Sequence, residues 1–119
     1  RTSEVREELF RLDYQYPNDL NVKRILAWAM LSDKSLDKAA QLYESLLSTS
    51  PANEDYLNAG YCQWAKGDMK RAVELFREWM RKSGNDTEQL LDEFRNDTDT
   101  LKKYGISETD CYLMLSLVG

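Results

Sequence analysis

Carboxylates are the side chains of this sequence that could do acid–base chemistry, because the 119-residue chain contains no histidine. Without histidine, Ser/His and Cys/His nucleophile pairs and every histidine-containing metal site are excluded. Three close groups of acidic side chains are candidates for such chemistry, at Glu7–Glu8, Asp92–Glu93 and Asp97–Asp99. Each group stands in a polar helix or turn with no apolar pocket beside it, so we expect solvated carboxylates. The sequence also lacks a calcium loop and a glycine-rich phosphate loop, and we expect no catalysis.

The two cysteines are the remaining candidates for covalent or metal chemistry. Cys62 and Cys111 lie in separate apolar segments without Cys-x-x-Cys spacing. Isolated cysteines in apolar surroundings behave as small hydrophobic side chains. We therefore expect two free, buried cysteines and no metal or other cofactor, with a disulfide or zinc site as the minor alternative.

The charge of the chain argues against a nucleic-acid partner. The net charge is -5 and the isoelectric point is about 4.8, whereas binding to phosphates needs clustered Lys and Arg. The acidic excess lies in residues 85–119, which carry 3 basic and 8 acidic side chains. A turn signal at residues 83–86 coincides with this shift. The sequence therefore predicts an organisational boundary near Gly84.

No segment of the sequence has the pattern of a membrane span or a secretory signal. The longest apolar stretch, from Cys111 to Val118, is far shorter than a bilayer-spanning helix, so we expect no membrane insertion. The chain begins with Arg1 rather than Met, and we interpret it as a piece of a longer protein. The cytoplasm is favoured, but the compartment stays open because a targeting segment could precede Arg1.

Two stretches of the chain have apolar residues at spacings of three and four, which predicts pairs of amphipathic helices. A polar turn divides each pair, at Ser32–Ser35 in the first and at Lys66–Asp68 in the second. Pro17 and Pro51 lie 34 residues apart, and each follows an amphipathic segment. The sequence therefore predicts a repeated helix-turn-helix unit.

This pattern resembles the tetratricopeptide repeat family, whose units have small, aromatic and closing proline residues at fixed positions. The first unit carries the resemblance at Leu26, Ala27, Ala39, Tyr43 and Pro51, and the second at Gly60, Tyr61, Gly67, Asp68, Ala72 and Phe76. Equivalent residues of the two units, such as Tyr43 and Phe76, lie 33 residues apart. The resemblance implies an all-α fold, a right-handed superhelical stack of antiparallel helix pairs in which small residues let helices approach closely.

The resemblance also divides the single domain into segments. Residues 1–17, with Val5, Leu9 and Leu12, match the second helix of a truncated unit, and residues 18–51 and 52–84 match two full units. Residues 85–119 would then form capping helices. The chain departs from the family pattern at Lys23, Gln63, Trp79 and Gly84. Because Trp79 is bulky, we expect the segment after Gly84 to pack at an irregular angle.

The last third of the chain predicts three helical stretches. The first begins after Asn85, a short second one ends at Gly105, and the third runs from Ser107 to Val118. This third helix is apolar on nearly all sides and needs a cover. Three covers are open: the end of the second unit, the concave groove of the repeats, or a second copy of the chain. The acidic excess could also help this third lie against the basic second helix of residues 52–84.

The resemblance implies that the first helix of each unit lines a concave groove. That face would carry Asn21, Arg24, Trp28, Leu31, Leu57, Asn58, Tyr61 and Trp64. Aromatic residues and arginine dominate binding hot spots, so we expect a protein or peptide partner held by apolar anchors. Trp28 stands where a carboxylate-clamping family member would need Asn, which disfavours that mode.

Two other functions are alternatives to a peptide-binding groove. The chain could be a structural or oligomerising spacer of a larger protein, with the groove filled by its own C-terminal helix. A related helical-hairpin repeat reads single-stranded RNA, but it needs a positively charged groove, and this chain is acidic.

Overall fold

The computed structural model describes residues 2–15 and 19–119, and these residues form eight α-helices and no strand. The helices are α1 (Thr2–Gln15), α2 (Leu20–Ser32), α3 (Leu36–Thr49), α4 (Asn53–Lys66), α5 (Met69–Ser83), α6 (Thr87–Asn96), α7 (Thr98–Lys103) and α8 (Glu108–Val118). The all-α prediction is confirmed for these residues. None of the described helices combines the length and apolarity that crossing a membrane requires.

Short polar side chains and glycines set where the helices begin and end. The carboxylate of Asp19 caps α2 by accepting from the backbone N–H groups of Asn21 and Val22, at 3.0 and 3.2 Å. Gly67 ends α4 with a φ of 90°, a left-handed conformation that costs a side-chain-bearing residue energy. The turns predicted between α2 and α3 and between α4 and α5 are both present.

Consecutive helices pack on one another through the first five. Contacts join α1 to α2, α2 to α3, α3 to α4 and α4 to α5, and α2 also touches α4. Three small residues at these crossings, Ala27, Ala39 and Ala72, have no exposed surface. A Cβ atom added to Gly60 would lie 2.5 Å from Cε1 of Phe76, so α4 and α5 meet there with no room for a methyl group. The close approach predicted for Gly60 is confirmed.

The N-terminal helix α1 packs against α2, and Leu12 lies against the core. The helix-ending role predicted for Pro17 lies outside the described residues. The side chains of Val5 and Leu9, which carry the match of residues 1–17 to a repeat helix, also lie outside what the structure describes.

The last third folds back on the second helix pair. Helix α6 packs on α5 and α8, α8 packs on α5, and α7 lies against α6. Only one side of α8 is covered by other helices, and it carries the buried residues Cys111, Met114 and Val118. Its other side leaves Tyr112, Leu113 and Leu117 about half exposed. Helix α8 contacts both α6 and α5, and its contact with α5 agrees with one of the three covers expected for it, the end of the second helix pair.

The link between α5 and the last third differs from the expected attraction of opposite side-chain charges. The guanidinium of Arg77 donates to two backbone carbonyl oxygens at the end of α8, at 3.0 Å to Leu117 and 3.3 Å to Val118. A cation is favourable there because the last carbonyls of a helix are unsatisfied. Arg71, another of the basic residues of α5, instead binds Glu44 of α3 at 2.9 Å. The polar contact between α5 and α8 is therefore made by a side chain and backbone carbonyl groups, and not by a pair of charged side chains.

Candidate functional site

The eight residues predicted to line the groove fall into two groups in the structure. Four have at most 8% of their surface exposed, and these are Leu31, Leu57, Tyr61 and Trp64. The others reach the surface, with Asn21 and Trp28 exposed and Arg24 and Asn58 half-buried. The predicted residues therefore do not form one continuous open groove, and the part that remains open belongs mainly to α2.

An aromatic cluster closes the α4 half of the face, and we define it as Tyr61, Trp64, Phe76 and Phe94. Phe94 comes from α6, and its ring centroid lies 5.2 Å from that of Trp64, 5.3 Å from Phe76 and 6.1 Å from Tyr61. The rings are tilted or edge-to-face, which is the favourable geometry for aromatic pairs. Phe94 therefore occupies the space in which a ligand of Tyr61 and Trp64 would lie.

Polar contacts from the last third reinforce this cover. The hydroxyl of Tyr61 donates to a carboxylate oxygen of Asp97 at 2.6 Å, and the hydroxyl of Tyr104 donates to the carbonyl oxygen of Leu31 at 3.2 Å. Burial and the contact with Asp97 raise the pKa of Tyr61. Asp97 was expected to be solvated, and it is instead a half-buried acceptor that ties the cover to α4.

Arg24 bridges α2 and α4 through a buried carboxylate. Its Nε and Nη2 atoms each donate to Asp55 over 2.8 Å, and Asp55 has no exposed surface. The backbone N–H of Ala52 donates to the same carboxylate at 2.8 Å. This hydrogen-bonded pair raises the pKa of Arg24. A bidentate Arg–carboxylate pair is strong and directional, so Arg24 positions the helices and its charge is already neutralised.

Sequence reasoning missed Asp55, although the sequence contains a signal for it. Asp55 is the third residue of α4 and stands three positions after Ala52, the spacing of a helix-capping acid. Such an acid normally lies at the surface, and only the guanidinium 31 residues earlier in the chain explains its burial. Pairing over that distance depends on how α2 and α4 pack on each other. The residues around Asp55 in the sequence carry no information about that packing.

A shallow depression of about 210 Å³ remains open between α2, α3 and α4. We call it the Trp28 depression, and it is lined by Arg24, Ile25, Trp28, Tyr43, Glu54 and Asn58. Two apolar side chains stand at its rim, with Trp28 58% and Ile25 54% exposed. Tyr43 is buried, and its hydroxyl has no hydrogen-bond partner among the described residues. Burial is the main cause that raises the pKa of Tyr43.

The rest of the described chain offers no arrangement for metal or thiol chemistry. No group of three or more metal-ligating side chains occurs within residues 2–15 and 19–119. Cys62 and Cys111 are free and buried, as predicted. Burial raises the pKa of Cys62 to about 11, which keeps it as a thiol at neutral pH. Its Sγ atom donates to the carbonyl oxygen of Leu36 at 3.3 Å.

Comparison of the chain with protein-family models, with curated proteins and with solved structures gave no match. The resemblance to tetratricopeptide repeats therefore rests on the residues of the sequence alone. Function has to be argued from the site itself.

Proposed function

We propose that residues 18–84 form two tetratricopeptide-like units in a superhelical stack, preceded by part of a third and capped by residues 85–119. The order of contacts among α1 to α5 supports this proposal, since each helix packs on the next and α2 touches α4. The steric match of Gly60 with Phe76 supports it further, because both residues carry the sequence resemblance. The aromatic cluster then marks where the cap meets the second unit.

We propose that the chain is a non-catalytic interaction module that binds a peptide or helix of another protein at the Trp28 depression. The exposure of Trp28 carries this proposal. A tryptophan that is 58% exposed leaves a large apolar surface in water beside a buried tyrosine hydroxyl without a partner. Tryptophan and tyrosine are enriched among the residues that contribute most to binding. A partner would bury the indole and the rim around it.

The residues of the depression would have distinct roles. Ile25 and Trp28 would contact the apolar anchor of the partner, and Asn58 would orient its backbone or polar groups, helped by Asn21, which lies beside the depression and accepts from Arg24. Arg24 would keep α2 and α4 at a fixed spacing through Asp55. The four buried groove residues, Leu31, Leu57, Tyr61 and Trp64, would support the face from beneath.

A second candidate function is self-association through α8. The observation that favours it is the exposed side of that helix, where Leu113 is 57% and Leu117 48% exposed. Met69 of α5 is also 38% exposed and lines a depression together with Leu117. Contiguous apolar surface of this kind marks interaction sites. A second copy of the chain would bury these residues in a symmetric pair.

Site-specific photo-crosslinking in an extract of the source cells separates the two functions. A crosslinking amino acid is placed at Ile25, at Leu113, or at the exposed polar control Lys38, in chains shown by circular dichroism to remain folded. We expect Ile25 to yield a heterologous partner that the Trp28→Glu change removes. Crosslinks of Leu113 to the chain itself would support self-association. Equal yields at Ile25 and Lys38 would contradict the proposed function.

A further inference from the structure

The Trp28 depression combines a carboxylate, an exposed indole and a buried hydroxyl, a set of groups that suits a positively charged side chain. We propose that the partner segment inserts a Lys or Arg side chain there. This inference rests on the proposed function, and it names the chemistry that the open face recognises. Each of the three groups contributes separately.

The ionic groups at the depression leave one negative charge without a partner. Arg24 contributes a positive charge, but its Nε and Nη2 atoms donate to Asp55 and its Nη1 atom donates to the amide oxygen of Asn21. Glu54 lines the depression, is exposed, and forms no ion pair with any residue that the structure describes. The local balance of Arg24, Asp55 and Glu54 is therefore -1, in a chain whose net charge is -5. Complementary charge on a partner steers its approach and selects it.

The indole of Trp28 can hold both parts of a basic side chain. A cation close to the face of a tryptophan ring is attracted by the electron density of the ring. The aliphatic stem of Lys or Arg can lie on apolar surface while its charged end reaches a polar group. Ile25, one turn from Trp28 and 54% exposed, provides that surface. The pair can therefore accept a stem and a cation together.

The hydroxyl of Tyr43 lacks a hydrogen-bond partner, and buried polar atoms in folded proteins nearly always have one. This oxygen atom is buried, so an inserted Lys or Arg side chain, a donor without acceptors, can donate to it only after displacing the side chains that cover it. Asn58 lines the same depression and has an amide oxygen that can accept a second bond. A purely apolar side chain would leave both acceptors unmatched.

The same groups would reject an acidic partner. A carboxylate or phosphate in the depression would face Glu54, and the guanidinium of Arg24 is already bound to Asp55. Placing like charges together without compensation costs affinity, which is one means by which a site selects its ligand. The site therefore distinguishes between basic and acidic segments of similar shape.

A series of four matched peptides tests this inference. Each is an acetylated and amidated helical host of Ala and Gln with one Leu anchor, and a guest one turn away is Arg, Lys, Gln or Glu. Binding is read from the indole N–H signal of Trp28 in nitrogen-15 spectra, which is assigned by its loss in Trp28→Phe. We expect the Arg and Lys peptides to bind about fivefold to tenfold more tightly than the Gln peptide. The Glu peptide should bind most weakly, and added salt should narrow these differences.

A pair of charge variants locates the effect. Glu54→Gln should abolish the preference for basic guests. Glu88→Gln removes the same charge from an exposed position of α6 outside the depression, so it should leave the preference unchanged. Equal binding of all four peptides would overturn the inference and leave the proposed function standing. If no peptide shifts the Trp28 signal while crosslinking at Ile25 still captures a partner, the inference is likewise overturned. Failure of the Ile25 crosslink counts separately against the proposed function.

Discussion

Trp28 and Tyr61 occupy equivalent positions of the two helix pairs, 33 residues apart, and their environments are opposite. Trp28 is 58% exposed, whereas Tyr61 is 2% exposed and hydrogen-bonded to Asp97. Both residues are aromatic and both lie on the first helix of a pair. Their difference arises from α6, whose Phe94 lies against Tyr61, while no described helix places an aromatic ring against Trp28.

This difference shows that the residues of a helix face do not alone decide whether the face stays open to solvent. The α4 face uses its aromatic side chains to hold the last third of the chain, and the α2 face keeps its own in water. Aromatic pairs contribute through contact area and ring geometry in both situations. The four predictions below test this division of the face, from the largest expected effect to the smallest.

Removing the ring of Phe94 should have the largest effect, because this ring closes the α4 face. We expect Phe94→Ala to lower the free energy of unfolding by about 3 to 5 kcal/mol. Trp64 fluorescence should shift to the red as water reaches its indole. Chemical denaturation followed by tryptophan emission measures both effects. Tyr112→Ala, at a 47% exposed position of α8, is the control and should change stability by less than about 0.5 kcal/mol. A loss below 1 kcal/mol for Phe94→Ala, on the order of an ordinary surface change, would contradict the cover.

The contact beneath the aromatic cluster can be broken by adding one carbon atom. Gly60→Ala places a methyl group within 2.5 Å of the Phe76 ring, so we expect a loss of about 1 to 3 kcal/mol from overpacking. Ala forms helices better than Gly, so without the contact to Phe76 this change would raise the free energy of unfolding instead of lowering it. The loss of stability caused by Gly60→Ala should be smaller in a chain that already carries Phe76→Leu. A double-mutant cycle measured by thermal unfolding would show this difference. A stabilised Gly60→Ala chain would place Phe76 elsewhere.

Three buried groups, the hydroxyls of Tyr61 and Tyr43 and the thiol of Cys62, should also make the fold sensitive to alkali. The folded-state pKa of Tyr61 and of Tyr43 is raised above the ordinary 10.0, and that of Cys62 is raised from 9.0 to about 11. Because the unfolded chain releases these protons first, their stabilisation is complete below pH 9 and declines as the pH rises. Each such group costs about 1.4 kcal/mol per pH unit above its unfolded pKa.

Denaturant midpoints measured between neutral pH and pH 11 would reveal this decline. Tyr61→Phe should reduce the slope above pH 10, since the phenylalanine has no proton to release. Tyr14→Phe, at an 88% exposed position, should leave the slope unchanged. A flat stability profile up to pH 11 would contradict the burial of these hydroxyl and thiol groups.

Truncation of the open face should have the smallest effect on stability. Trp28→Ala removes a side chain that is more than half exposed, so we expect a change within about 0.5 kcal/mol. Trp64→Ala, the matched change on the covered face, should cost about 3 to 5 kcal/mol. Thermal unfolding of the two variants gives the comparison directly. Similar losses for both would mean that Trp28 is also held in the core.

Much of the secondary structure could be predicted from the sequence, because its signals are local. The cap at Asp86, the turn at Gly67 and the left-handed Gly105 follow from residue type and spacing. The steric fit of Gly60 also followed from a small residue at a repeated position. The caps and turns depend on neighbours within a few residues, whereas the fit of Gly60 to Phe76 joins two helices and follows from the repeat pattern.

The division of the face could not be predicted, because it depends on which distant residues meet. The apolar spacing of Leu90, Leu91 and Phe94 predicts a buried stripe along this helix, but the contact of Phe94 with Trp64 depends on how α6 docks on α5. The pairing of Arg24 with Asp55 likewise joins residues 31 positions apart. The resemblance to a repeat family assigns each side chain to a helix face, and the packing of the last third of the chain decides which faces stay open.

Hydroxyl-radical footprinting of the intact chain tests the central claim most directly, because it compares Trp28 and Trp64 in one sample. The account predicts that Trp28 is oxidised much faster than Trp64, and that Trp28 becomes protected when the partner captured through Ile25 is bound. Similar oxidation rates of the two tryptophans in the free chain would contradict it. Unchanged oxidation of Trp28 in the complex would place the interaction on another surface.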